Sequence, residues 1–234
     1  MFSNIFIIIP AFNEEKHISD VVNELLILGY YVIVVDDGYA DRTAELARAA
    51  GAVVLCHKIN RGQGAALATG TLYALRAGAE IMVHFDGDGQ FLSSEIKTLI
   101  EPLARGEVDI VLGSRFFKYA NGCELGRQIN ANKNMPFLKK YFILPTARIL
   151  NYFLTGLKLT DAHCGLRAMN RLAAAKIKID QDGMAHNTEI VAQIKKNNLR
   201  WRELPVTVIY HEFGQGIGGG VKILKDLFIK KMIK

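Results

Sequence analysis

Ile81-Met82-Val83-His84-Phe85-Asp86-Gly87-Asp88-Gly89-Gln90 decides how the chain is read. A short apolar run ends in two acids one residue apart. Each acid is followed by glycine, and a carboxamide closes the group. The run has the length of a buried strand. Glycine just after a strand lets the backbone turn sharply and approach a ligand closely. Two carboxylates and an amide oxygen, from Asp86, Asp88 and Gln90, suit a hard divalent cation. Mg²⁺ keeps part of its shell for waters and substrate phosphates, so this is where metal would meet a phosphorylated ligand. Three other readings compete. A calcium EF-hand loop from His84 would place Asp86, Asp88, Gly89 and Glu95 correctly, but its first ligand would be His84 and its flank is strand-like. A phosphatase with an aspartyl nucleophile also shows D-x-D after a strand, though here the pair is followed by Gln90. A solvated acidic turn is the plain alternative, since Asp and Gly are the commonest turn residues.

The stretches before it repeat the same design. Ile5 to Ile9 is a β-branched apolar run, read as a buried strand. It runs into Pro10-Ala11-Phe12-Asn13-Glu14-Glu15, where Asn13 is a candidate N-cap and the acids sit in the first turn of a helix ending at Gly29. Tyr31 to Val35 is a second strand, closing on Asp36-Asp37-Gly38. Asp41 caps a helix to about Ala50, and Val53 to His57 is a third strand. Asn60-Arg61-Gly62-Gln63-Gly64 is a glycine-rich turn before an alanine-rich helix, Ala65 to Ala77. Strands alternating with helices imply right-handed crossovers and a doubly wound, mostly parallel, Rossmann-like α/β sheet. Ligands of such sheets bind beyond the carboxyl ends of the strands, where every motif so far lies.

The second half is less regular. Ser94 to Arg105 reads as a helix and Ile110 to Leu112 as a strand, followed by Gly113-Ser114-Arg115. Phe116 to Lys140 has few periodic signals, and loops this long within a domain are often functional. Tyr141 to Leu154 reads as a helix, Asp161 to Arg167 as a turn, Thr188 to Lys196 as a helix and Trp201 to Tyr210 as a strand. The expected division is one domain over 1–213, then a glycine-rich linker and basic amphipathic helix over 214–234.

The chain has 234 residues, 50% hydrophobic and 22% charged, as suits a globular fold with a real core. A formal charge of +6 favours an anionic partner: a phosphate ligand, a membrane surface or nucleic acid. Cys56, Cys123 and Cys164 show neither metal spacing nor an even framework, and read as reduced thiols. No signal peptide and no transmembrane helix are expected. The lysines do not interleave with aromatics in a stacking pattern, so no nucleic-acid partner is expected.

With these residues in view, the chain resembles a family 2 glycosyltransferase of the GT-A fold, within it the polyprenyl-phosphate branch typified by dolichyl-phosphate mannose synthase. The marks are I-I-I-P-A-F-N-E-E, V-V-D-D-G-Y-A-D-R-T, N-R-G-Q-G-A-A-L, F-D-G-D-G-Q, L-G-S-R-F and D-A-H-C-G-L-R-A, in order along nearly the whole chain. The resemblance implies that Pro10, Phe12, Asn13, Glu14 and Asp37 hold the nucleotide of a nucleotide-sugar, with Asp36 as a turn residue. Gln63 stands where many relatives have lysine, which removes a charge near the donor. Asp86, Asp88 and Gln90 match the family's site for Mg²⁺ or Mn²⁺ and diphosphate, with Asp88 central to catalysis. Arg115 matches an acceptor-phosphate arginine, and its planar fork fits phosphate oxygens. Lys140 matches a second cationic acceptor position, although the serine expected four residues on is Leu144. Asp161 would orient Arg167, assist proton removal or cap a turn. His84 and His163 read as structural, and Glu189 as a solvated helix face sooner than a group that orients the sugar.

The implied reaction is inverting transfer of one sugar from a UDP- or GDP-sugar to a polyprenyl phosphate. The enzyme would be peripheral at the cytoplasmic face of the membrane, with the amphipathic 222–234 segment as its contact. The alternatives are the same fold acting on a saccharide or protein hydroxyl, and a non-catalytic nucleotide- or metal-binding module.

Overall fold

Apolar β-branched runs form the centre of the molecule. A computed structural model describes residues 4–38, 40–116, 127–129, 152–153, 155–161 and 163–209. Among them, the strands are β1 (Ile5–Ala11), β2 (Tyr31–Asp36), β3 (Val53–Cys56), β4 (Ile81–His84), β5 (Ile110–Ser114), β6 (Arg127–Ile129), β7 (Arg167–Asn170), β8 (Trp201–Pro205) and β9 (Thr207–Ile209). The helices are α1 (Ile18–Ile27), α2 (Thr43–Ala49), α3 (Gln63–Arg76), α4 (Ile96–Ala104), α5 (Arg171–Lys176) and α6 (His186–Lys196). Seven strands form one sheet in the order β3-β2-β1-β4-β7-β5-β8, and β6 pairs with β9 separately. All pairings are parallel except those of β7, which runs antiparallel to β4 and β5.

Both faces of the sheet are covered, as parallel sheets require. Ile7, Ile9, Val34 and Val83 pack on one side with Leu25 of α1, Ala47 of α2 and Leu99 of α4. Phe6, Ile8, Ile33 and Met82 pack on the other with Leu67 of α3, Ala173 of α5 and Ile190 of α6. No helix among the described residues is long and apolar enough to cross a membrane.

Three expectations need correction. Asn13 does not cap α1: its φ is 61° and the helix starts at Ile18. The Glu14 N–H donates instead to Thr43 Oγ1 (2.8 Å), and the Glu15 N–H to Asp41 Oδ2 (3.1 Å). Asn tolerates the left-handed region, so the chain turns there before the helix. Second, Trp201 to Tyr210 is not one strand. Pro205 has no N–H to donate, and β8 ends there while β9 joins β6. Third, α5 was not expected, although Asn170 caps it through Oδ1 to the Ala173 N–H (2.8 Å). Tyr152, Phe153 and Thr155 are helical; the rest of the 141–154 prediction, Lys140, Cys123 and the 214–234 segment lie outside the described residues.

At the rim opposite the candidate site, Asp109 accepts from the Arg200 N–H (2.9 Å), Nε (3.1 Å) and Nη2 (2.8 Å), and from Asn170 Nδ2 (3.1 Å). The Arg200 hydrogen bonds hold its carboxyl down at about 2 despite burial. A depressed folded-state pKa adds stability above the ordinary carboxylate range, and that stability is lost as pH falls toward 2. Asp109→Ala is expected to cost about 2 kcal/mol at pH 7, read as a lower urea midpoint, with the deficit shrinking as pH falls below 4.

Candidate active site

The parallel strands all deliver their carboxyl ends to one rim, and β7, running the other way, brings the turn that precedes it to the same place. Asp37 follows β2, with its N–H on Ala11 O (2.8 Å) at the end of β1. The D-G-D-G-Q turn follows β4, after Phe85 N donates to Ile8 O (3.0 Å). Arg115 follows β5, and residues 163–166 enter β7, with Leu166 O accepting from the Gly113 N–H (2.9 Å). Loops distant in sequence thus meet at one edge, as predicted.

Asp37 is buried and organises the glycine-rich turn. Oδ1 accepts from the Arg61 N–H (3.0 Å) and faces His57 Nδ1 (2.7 Å), and Oδ2 accepts from the Gly62 N–H. The far side of the His57 ring meets Thr69 Oγ1 at 2.9 Å. His57, read only as the end of a strand, therefore anchors Asp37. Asp36, read as a turn residue, is buried with Oδ1 lacking a hydrogen-bond partner, and burial together with Asp41 and Asp37 raises its carboxyl. The glycines of the 60–64 turn serve packing: a Cβ at Gly62 or Gly64 would run into Asp182 O or Gln181 O.

Gln63 opens α3 and donates Nε2 to Asp86 Oδ1 (2.9 Å), which ties the glycine-rich turn to the acidic one. Asp88 Oδ1 accepts from the Gln90 N–H (3.0 Å), closing the turn on itself. Behind it, Gln90 O accepts from the Ile209 N–H (2.9 Å). Burial, then Asp88, pushes the Asp86 carboxyl up to about 6, against the opposing pull of Arg167, Arg115 and Gln63. Burial, then Asp88 and Asp86, pushes Glu14 up to about 7. Three carboxylates thus crowd one region with too little positive charge to offset them, a field that a bound cation would relieve. Among the described residues no three Asp, Glu, His or Cys side chains converge as a ready metal cage. The donor set that fits a hard cation is Asp86 and Asp88 with the Gln90 amide, an incomplete shell of the kind Mg²⁺ accepts.

Asp161 pairs with Arg115, not with Arg167. Oδ2 accepts from Arg115 Nε (2.6 Å) and the Arg115 N–H (3.1 Å), and Oδ1 from Nη2 (2.9 Å). Burial opposes the Asp161 charge, but the hydrogen bonds and guanidinium of Arg115 hold the carboxyl below its ordinary range. A carboxylate so occupied is a poor proton acceptor. Arg167 is buried instead against Gly165 O (3.2 Å), Cys164 O (3.3 Å) and Asn187 Oδ1. It shapes the turn that presses Gly165 against the Asp86 carboxylate.

Pro10 is the penultimate residue of β1 at this rim, and Phe12, just past the strand's end, is 43% exposed. A Cβ at Gly38 would lie 3.4 Å from the Phe12 ring, so the first two loops touch. His84 is buried on Thr71 Oγ1 (3.0 Å), structural as read, whereas Glu189, read as a solvated helix face, accepts at Oε2 from the Asp180 and Gln181 N–H groups (2.9 Å each). Sequence reasoning missed His57, Gly165 and Glu203. Glu203 had a signal: an acid on the same strand face as Trp201 and Pro205, opposite to Arg202.

A family model described as Glycosyl transferase family 2 matches residues 6–178. An uncharacterized protein of Methanocaldococcus jannaschii is 34% identical over 235 residues, spanning 97% of this chain and 92% of its own. The UDP-N-acetylglucosamine–dolichyl-phosphate N-acetylglucosaminyltransferase of Methanococcus voltae is 31% identical over 249 residues, with 98% and 95% covered. The fold matches glucosyl-3-phosphoglycerate synthase of Mycobacterium tuberculosis, crystallised with Mn²⁺, UDP-glucose and phosphoglyceric acid. The TM-score is 0.68 at 19% identity, over 97% of this chain and 79% of that one.

Proposed function

The chain belongs to glycosyl transferase family 2, and from that premise we propose that this glycosyltransferase moves one sugar from a UDP- or GDP-sugar to a polyprenyl phosphate, with inversion. The observation that carries the reading is the Arg115–Asp161 pair. A buried carboxylate spends itself on orienting one guanidinium, whose charge reaches Asp86. An alcohol acceptor needs a base to take its proton, whereas a phosphate arrives already anionic and needs a cation to position it. A guanidinium oriented by a buried carboxylate supports the second task. The Methanococcus relative, named for transfer to dolichyl phosphate, supports the same acceptor class.

The roles follow from place and chemistry. Phe12 and Glu14 border the nucleotide, beside Pro10 and Asn13. Asp37 is a scaffold for the 60–64 turn as much as a contact. Asp86, Asp88 and Gln90 would hold Mg²⁺ or Mn²⁺, which supplies charge neutralisation for the leaving nucleoside diphosphate. Gln63, neutral where a lysine would bring charge, braces Asp86. Arg115, with Lys140, would seat the acceptor phosphate for attack from the face opposite the leaving group. The basic, apolar pattern of 222–234 supports a membrane contact at the cytoplasmic face.

The test is transfer itself. The purified protein with Mn²⁺, labelled UDP- and GDP-sugars and detergent-dispersed polyprenyl phosphate is expected to yield label in the organic phase as a lipid-linked sugar. Label on an added oligosaccharide, with none on the lipid, would overturn the acceptor assignment.

A further inference from the structure

We infer that Glu203 is a positioning residue for Arg115, acting through the 160–161 turn, so that it sets affinity for the acceptor and not for the donor. The inference rests on the reading of Arg115 as the acceptor-phosphate group. Glu203 lies on β8, directly across from Leu112 of β5, the strand that ends just before Arg115. Its carboxylate is buried and accepts four hydrogen bonds from the turn. The Thr160 N–H donates to Oε1 (2.9 Å) and Oε2 (3.0 Å), the Thr160 hydroxyl to Oε1 (3.1 Å), and the Asp161 N–H to Oε1 (3.1 Å). From β5, Ser114 Oγ meets Thr160 Oγ1 at 2.6 Å. The turn is thus held from two neighbouring strands, and what it presents is the Asp161 carboxylate that grips Arg115.

Burying a carboxylate is costly unless hydrogen bonds satisfy it. Here they fix the backbone N–H of the residue that aims the guanidinium. Glutamine is nearly isosteric but offers one acceptor oxygen, and its NH₂ would face the turn's own donors. The turn would then rotate, carrying Asp161 with it.

The experiment is steady-state kinetics with polyprenyl phosphate and nucleotide-sugar varied separately, alongside thermal unfolding, for Glu203→Gln, Arg115→Ala, Asp161→Asn and the Glu203→Gln/Asp161→Asn pair. Glu203→Gln is expected to raise the acceptor KM about tenfold, the size of losing well-aligned hydrogen bonds to a charged group. The donor KM stays within about twofold. In the Asp161→Asn background the same change adds nothing, because the two act in series. Thr160→Val, which removes the hydroxyl shared by Glu203 and Ser114, shifts the acceptor KM the same way and serves if Glu203→Gln folds poorly. Equal effects on both substrates, or an undiminished effect in the Asp161→Asn background, would overturn the inference. So would an unchanged acceptor KM in Glu203→Gln beside a raised one in Arg115→Ala. An unchanged acceptor KM in Arg115→Ala would remove the acceptor reading and this inference together.

Discussion

Asp88→Asn is expected to reduce sugar transfer by about 10³-fold while leaving the fold intact. The side chain keeps its shape, and an amide oxygen at that position still accepts the Gln90 N–H that Asp88 Oδ1 now accepts at 3.0 Å. What disappears is one negative charge. Asp88 stands among the causes that raise both Asp86 and Glu14. Removing it therefore eases repulsion in the protein alone, so the variant should be no less stable than the parent. With the cation and diphosphate bound, the sign reverses. A fixed anion that helped hold positive charge against the leaving group is gone, and losing one such preorganised electrostatic partner costs about 10²- to 10³-fold. Two measurements check this: initial rates of transfer, and Mn²⁺ affinity by titration calorimetry with the nucleoside diphosphate present. Affinity should fall at least about tenfold. Full activity in the variant would remove Asp88 from the metal assignment, and unchanged Mn²⁺ affinity would mean that the lost activity does not run through the cation.

The parts that were legible in the sequence share one property: they are local. β1, β2 and β4 are mainly apolar runs, β2 and β4 closing on acid–glycine turns and β1 on Phe12-Asn13-Glu14, and each formed where expected. Asp37, Asp86, Asp88 and Arg115 were visible for the same reason, since a polar residue just past a buried strand of a parallel sheet must lie at the ligand-facing rim. The illegible parts depend on what the topology brings alongside. Four residues, Arg-Ala-Met-Asn, carry no periodic signal, so nothing local says that β7 inserts antiparallel between β4 and β5. Asn13 suits an N-cap and a left-handed turn equally well, and the choice was made by Thr43, which takes the Glu14 N–H. Asp161 had two arginines to choose between, Arg115 and Arg167. The fold gave it the one 46 residues away because β5 ends beside the turn, while Arg167 points into the protein toward Asn187. His57 has no chemistry of its own that stands out, and Glu203 shows only as a lone acid within its strand. Their importance comes from the residues they hold, Asp161 and Asp37.

Gly165→Ala is the substitution whose effect follows most directly from shape. Its φ is not in the left-handed region, so the alanine backbone is unstrained there. On backbone grounds alone such a change is neutral or mildly stabilising, by roughly 0.4–1 kcal/mol. The obstacle is what the new methyl meets. A Cβ at Gly165 would run into Oδ1, Oδ2 and Cγ of Asp86. The turn cannot retreat easily, because Arg167 holds Cys164 O and Gly165 O from below, and the Gly113 N–H holds Leu166 O at 2.9 Å. Asp86 must therefore move, breaking its 2.9 Å contact with Gln63 and leaving its place beside Asp88. A displacement near 1 Å at a reacting centre costs on the order of 10²-fold, and that is the expected loss in kcat/KM for the donor, accompanied by weaker Mn²⁺ binding. Gly78→Ala and Gly106→Ala supply the contrast. Both glycines sit at positive φ, 86° and 68°, with nothing within 4 Å of the added methyl. Each should lose about 1 kcal/mol of stability through backbone strain with transfer unaffected. If Gly165→Ala instead loses stability and keeps its kcat/KM, the turn yields where it is described as braced, and Asp86 owes its position to something other than the Gly165 contact.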